Sequence, residues 1–97
     1  MKLASYRLIT LTILKELLED NNLDDVELII KNKNNTIVIS HNILCIISNN
    51  FTKKEIISGY GFKGNDLFIE YSIEKVGLLK YYYKYFSDNS EFFVKIL

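Results

Sequence analysis

Residues 40–51 read SHNILCIISNNF, and how this stretch folds decides the class of the whole chain. It shows no clean alternation of apolar and polar positions. Ile43, Ile46, Ile47 and Asn50 fall at spacings of three and four, which predicts a short buried helix over 42–51. Ser40 stands where a helix N-cap belongs, although the β-branched isoleucines dilute the signal. The same stretch holds the chain's only histidine and only cysteine, His41 and Cys45.

Working outward, DDVELIIKN (24–32) alternates Val26, Leu28 and Ile30 with Glu27 and Ile29, the pattern of a strand with one buried face. Residues 31–35, KNKNN, are a turn by composition, and TIVIS (36–40) is the returning strand of a hairpin. Upstream, residues 6–20 put Leu11, Leu14 and Leu18 on one helical stripe with Leu8 and Leu17 beside it. Lys15, Glu16, Glu19 and Asp20 take the other side, and Asn21-Asn22 marks a stop. Downstream, 51–58 reads as a further helical turn. Residues 59–66, GYGFKGND, hold three of the four glycines and read as a loop. LFIEY (67–71) reads as a third strand. SIEKVGLLKYYYKYF (72–86) reads as a helix with Val76, Leu79 and Tyr83 on one face, weakened by about 1 kcal/mol at Gly77. Residues 91–97 open another apolar segment. The expected fold is a single mixed α+β domain spanning 1–97, without repeats or linkers.

Composition narrows the function classes. Ninety-seven residues support one core and no second domain. Twelve basic and twelve acidic residues cancel, so no net charge marks a polyanion binder. One cysteine makes no internal disulfide and points to a reducing compartment. No signal segment is evident, and the longest apolar run, IVISHNILCII, is broken by Ser40, His41 and Asn42. It falls short of the roughly 18 apolar residues of a membrane span. A soluble, intracellular protein is expected. Pro, Trp and Gln are absent while Asn, Lys, Ile, Tyr and Phe abound, a bias towards AT-rich codons of the kind found in large DNA viruses, parasites and organelles.

No set of residues makes a catalytic motif. A Cys–His pair at His41 and Cys45 would need an oxyanion donor and an orienting group. Cys45, set among isoleucines and Leu44, reads instead as a core thiol. One histidine and one cysteine fall short of any zinc pattern. Asp24-Asp25 and Glu19-Asp20 read as solvated or capping carboxylates. GYGFKG lacks the Lys-Ser/Thr of a phosphate loop. No enzymatic activity, cofactor, metal or small-molecule ligand is expected. The notable surface candidate is Tyr81, Tyr82 and Tyr85 with Tyr83, Phe86, Lys80 and Lys84 among them. Such a mixture can stack bases, but with a neutral chain it favours a protein partner.

Taken in order, the segments resemble a BTB/POZ domain. Asp25-Val26-Glu27-Leu28 resembles that family's opening strand. Leu44, Ser48 and Phe51 stand at the spacings of its helix after the hairpin. LFIEY resembles its third strand, and Leu78-Leu79-Lys80-Tyr81-Tyr82-Tyr83 the helix after it. FVKIL is similar to the start of the following helix in poxvirus BTB-kelch proteins. The resemblance covers residues 8–97. It departs at Ser40, where the family histidine belongs, with His41 one place late, and the chain ends before the last helices of a complete domain. The resemblance implies a two-fold homodimer with Leu8, Leu11 and Leu14 on its face and His41 facing Asp25 in a partly charged pocket. It further implies adaptor duty towards a cullin-type ubiquitin ligase in the cytoplasm, the host's if the source is viral.

A second resemblance points elsewhere. Residues 6–39 are similar to the helix-hairpin of the eighth small-subunit ribosomal protein family, and 43–71 to its later strand and turn. That likeness implies an organellar, mitochondrial protein bound to rRNA. The family's Ser-x-Ser-x-Gly turn and first helix are both missing.

Overall fold

Tight turns, more than hydrophobic periodicity, organise this chain. In the computed structural model, which describes residues 5–97, four connections are only two residues long: His41-Asn42, Asn49-Asn50, Gly64-Asn65 and Val76-Gly77. His41 (φ 49°) and Asn42 (φ 64°) both sit in left-handed backbone, as do Val76 (54°) and Gly77 (76°). Two consecutive positive φ values make the mirror-image turn whose twist matches a β-hairpin. Each turn folds the chain straight back on itself, so the segments between them become strands.

The elements run β1 (Arg7–Ile9), α1 (Leu11–Asp20), a single 3-10 turn (Leu23–Asp25), β2 (Val26–Lys31), β3 (Thr36–Ser40), β4 (Ile43–Ser48), β5 (Phe51–Lys63), β6 (Asp66–Lys75), β7 (Leu78–Phe86) and β8 (Glu91–Ile96). All pairings are antiparallel, in the order β1-β8-β2-β3-β4-β5-β6-β7. Strands β2 to β7 form a meander, and β8 returns to slot between β1 and β2. In a flat sheet β7 and β8 would lie six strand spacings apart, roughly 29 Å. Only residues 87–90 join them, a reach of about 18 Å from Phe86 to Glu91 at full extension. The sheet therefore curls, and α1 lies in its hollow.

Helix α1 is short because both ends are capped. The Thr10 hydroxyl accepts from the Ile13 amide at 3.2 Å, and the Asn21 amide and side chain both donate to the Leu17 carbonyl. Leu11, Leu14 and Leu18 point into the curl. They meet Leu28, Ile30, Ile37, Ile39, Leu44, Leu67, Ile69, Phe86, Phe92 and Val94 in one core. Strand alternation puts the other set of side chains on the outside of the curl.

The α+β expectation is thus corrected: over the described residues the chain is an antiparallel β protein with one short α-helix. The helix within 6–20, the strands at 26–30, 36–40 and 67–71 and the turn at 31–35 stand where the sequence put them, although 7–9 form β1. The helices expected at 42–51, 51–58 and 72–86 are strands. In β4, Leu44 and Ile46 face the core while Ile43, Cys45 and Ile47 face out, so the isoleucines at spacing three come from opposite faces. The expected loop at 59–66 is largely the second half of β5, whose Gly61 lies under the Phe68 ring. Residues 72–86 are split by Val76-Gly77, and 91–96 form a central strand, leaving no helix where the BTB resemblance requires one. No helix among the described residues is long and apolar enough to cross a membrane.

Candidate functional site

Each expected site residue has a definite place. Leu14 is fully buried and Leu11 nearly so, both within the chain's own core, so their apolar character is accounted for without a partner. Leu8 is 61% exposed, on the outer face of β1 opposite Phe93. Asp25 ends the 3-10 turn, where its carbonyl accepts from the Leu97 amide at 3.0 Å. His41 is a turn residue at the β3–β4 bend. No hydrogen bond or ion pair joins it to Asp25 among the described residues. Nor does it sit beside Cys45: His41 is at the tip of the β3–β4 turn, and Cys45 lies two ladder pairs down β4 from the turn-flanking Ser40–Ile43 pair, opposite Val38. Cys45 is half-buried on the outer face, opposite Val38 and Lys54.

The hollow lined by Asn22, Leu23, Asp24, Asn42, Ile57, Ser58, Gly59 and Tyr60 encloses about 280 Å³. It offers one carboxylate, with no histidine, thiol or second acid beside it. Ser58, the nearest candidate nucleophile, donates instead to Glu70 at 3.0 Å. No cluster of three metal-ligating side chains occurs among the described residues.

The surface that stands apart is β7. Tyr81, Tyr82 and Tyr85 are 53%, 42% and 56% exposed. Leu78, Leu79 and Tyr83 are exposed beside them. The cause is positional. Among the described residues β7 pairs with β6 on one side only, and the hairpin carries its first half beyond the core. Pairing with Leu67, Ile69, Tyr71 and Ile73 places Phe86, Lys84, Tyr82 and Lys80 on the inner side. Tyr85, Tyr83, Tyr81 and Leu79 take the outer side, opposite Phe68, Glu70, Ser72 and Glu74. Rings support one another across the pair. Phe68 lies 6.3 Å from Tyr83 and 6.1 Å from Tyr85, and Tyr71 stacks on Tyr82 at 5.8 Å.

The tyrosine hydroxyls meet carboxylates in two places. Tyr83 stands directly opposite Glu70, whose carboxylate raises its pKa above the ordinary value by hydrogen bonding and then by its charge. On the opposite margin of the sheet Tyr6 donates to Glu27, which with partial burial and the negative charge pushes its pKa up to about 12.

Within a two-residue mirror-image hairpin, the pair flanking the turn exchanges both hydrogen bonds. That pair is Lys75 and Leu78. Leu78, Lys80 and Tyr82 therefore bond to β6, while Leu79, Tyr81, Tyr83 and Tyr85 turn their N–H and C=O groups to the free edge. No other backbone hydrogen bond reaches β7 among the described residues. Sequence reasoning found the aromatic residues but placed them on a helix. The free amide row was out of its reach, since only the Val76-Gly77 turn creates it.

No family model matches the chain, and no curated protein or solved structure is detectably similar to it.

Proposed function

We propose that this chain is a protein–protein interaction module whose working surface is the free edge of β7. One observation carries the reading: a nine-residue edge strand with most of its large side chains exposed and its outward amides unpaired. Such an edge is a template for another extended strand. In strand addition the main-chain hydrogen bonds supply affinity and the alternating side chains supply specificity. Here Tyr81, Tyr83 and Tyr85 would line one side of an added strand, and Tyr82 the other. Lys80 and Lys84 on the inner side limit indiscriminate pairing, because a bare apolar strand cannot solvate them.

The cullin partner implied by the BTB resemblance depends on a helix after the third strand, and this chain builds β7 there. The rRNA partner implied by the ribosomal resemblance has support from the interleaved lysines and rings. The zero net charge of the chain weighs against it, since phosphate contacts dominate such affinity.

A photo-crosslinking phenylalanine analogue at Tyr83, compared with one at Asn34 in the β2–β3 turn near the Phe86 end of β7, tests the reading in cells that express the chain. Protein adducts are expected at Tyr83 and not at Asn34. They should disappear with Tyr81→Pro, which deletes an outward amide and leaves the β6 ladder whole. Adducts to RNA, or protein adducts indifferent to Tyr81→Pro, would overturn it.

A further inference from the structure

We infer that the strand added to β7 is the β7 of a second copy, paired about a two-fold axis through Tyr81. This rests on the interaction reading above and names its partner.

The first argument is length. An open sheet has two edges, and here they are β1 and β7. β1 is three residues long, so head-to-tail pairing of β7 with β1 would satisfy only a third of the template. The edge in this chain that matches β7 is β7 itself. A two-fold pairing of this kind closes on itself, leaving only the two short β1 edges at the ends of one continuous sheet. With no net charge on the chain, no overall repulsion opposes the association.

The second argument is charge register. A two-fold axis perpendicular to the sheet sets one residue opposite its own copy and fixes every other pair. Registers that pair five residues or more are centred on positions 80 to 84. Centring on Lys80 or on Lys84 opposes identical ammonium groups. Centring on Tyr82 sets Lys80 against Lys84 twice. Like charges directly opposite each other destabilise a strand pair. Only the registers centred on Tyr81 and Tyr83 avoid this.

Burial separates those two. The Tyr83 register runs from Lys80 to Phe86, and Phe86 is 3% exposed in the core, beside Asn32 and Lys33 of the β2–β3 turn. The Tyr81 register uses only Leu78 to Lys84, all of them exposed or half-buried. It lays Leu79 against Tyr83 of the second copy on the outer face. On the inner face Lys80 meets the ring of Tyr82, a cation–π pairing, and Lys84 lies along Leu78. The outward amides of Leu79, Tyr81 and Tyr83 are all satisfied.

The test is a symmetric cross-link in the full chain carrying Cys45→Ser, so that the introduced thiol stands alone. Tyr81→Cys, Tyr82→Cys and Tyr83→Cys are oxidised side by side near the dissociation midpoint found by light scattering. Residues opposite each other in a hydrogen-bonded pair have Cα atoms about 5.5 Å apart, within disulfide reach. The Tyr81→Cys variant is expected to cross-link in preference to the other two. In the unmodified chain, amide exchange at Leu79, Tyr81 and Tyr83 should slow with rising concentration, and Tyr81→Lys should weaken the dimer by about tenfold or more. Preferred cross-linking at Tyr82 or Tyr83 overturns the register. A chain that remains monomeric at all concentrations overturns self-pairing. If photo-adducts at Tyr83 then contain a different protein, the interaction reading survives its partner's failure. If there are none, both fall.

Discussion

Strands β2 and β7 belong to one sheet and obey opposite rules. β2 is flanked on both sides, by β8 and β3, and its residues Val26, Leu28, Ile29 and Ile30 have no exposed surface. Ile29 is instructive, because it faces away from α1 and is still covered. Val38 and Phe93 stand opposite it on the two neighbours, and Lys31 draws its chain over the Phe93 ring at 5.3 Å. Among the described residues β7 has a neighbour on one side only, and nearly all its side chains remain open. A second neighbour is needed to make the outer face core but is not enough. On β4, flanked by β3 and β5, Ile43 and Ile47 stay exposed, and Ile29 is core because Val38, Phe93 and the Lys31 chain close over it. Composition follows the difference: aliphatic residues where both faces are covered, tyrosine interleaved with lysine where one edge meets water or a partner.

The largest expected effects test whether β2 is core on both faces. Leu28→Ala, on the helix side, should destabilise the fold by about 3–4 kcal/mol in urea unfolding. Ile29→Ala, on the outer side, should cost about 2–3 kcal/mol, somewhat less because a single layer of side chains relaxes more easily. Leu79→Ala on β7 should change stability of the monomer by less than about 0.5 kcal/mol. A small loss at Ile29 would mean that its cover is fluid and that the outer face is solvent-like throughout.

The contrast between these strands also explains which parts of the fold were legible. The alternation of Val26, Leu28 and Ile30, the 31–35 turn and the Leu11-Leu14-Leu18 stripe each carry a local signal, and each appears as read. β4 and β7 do not. In ILCIIS both faces are apolar, so period two vanishes and spurious spacings of three and four remain. In LLKYYYKYF the edge has no face that must be polar, and its alternation is hidden the same way. The information that was overlooked lay in turn chemistry. His41-Asn42 and Val76-Gly77 are two-residue, positive-φ connections, and only the glycine advertises this clearly. The candidate surface was legible as a set of residues, Tyr81, Tyr82 and Tyr85, but not as an edge. β8 was the least legible element, since nothing local says that a terminal segment pairs with β2.

The β6–β7 turn offers a gain rather than a loss. Val76 is a β-branched residue in left-handed backbone (φ 54°), a conformation that asparagine tolerates and valine resists. Its side chain touches nothing, being fully exposed at the tip. Val76→Asn should stabilise the fold by about 1 kcal/mol, read as a rise in thermal midpoint. Because β7 is held by this hairpin alone, the gain should also slow amide exchange at Lys80 and Tyr82, which bond to β6. An unchanged midpoint would show that the hairpin frays in the native state and contributes little to the transition.

The smallest effect compares the two tyrosine–glutamate pairs, Tyr6–Glu27 beside β2 and Tyr83–Glu70 on β7. Tyr6 titrates at about 12 in the folded chain against an ordinary value of 10. Between those values the unfolded chain has released the proton and the folded chain retains it. The folded state then binds more protons, so stability falls as pH rises. The contribution of this pair is fully present below pH 10 and lost as pH climbs through 12. Tyr83 is shifted in the same direction by the Glu70 carboxylate, but its ring stands in solvent, where screening reduces what the pair contributes. Urea midpoints measured from pH 9 to 12 should therefore decline less steeply in Tyr6→Phe than in the unmodified chain, with Tyr83→Phe lying closer to the latter. Equal flattening by the two substitutions would mean that the β7 pair is as well shielded as the β2 margin. That result would place a covering partner over the edge under the conditions of the experiment, and dilution of the protein should then abolish the Tyr83 effect while leaving that of Tyr6 intact.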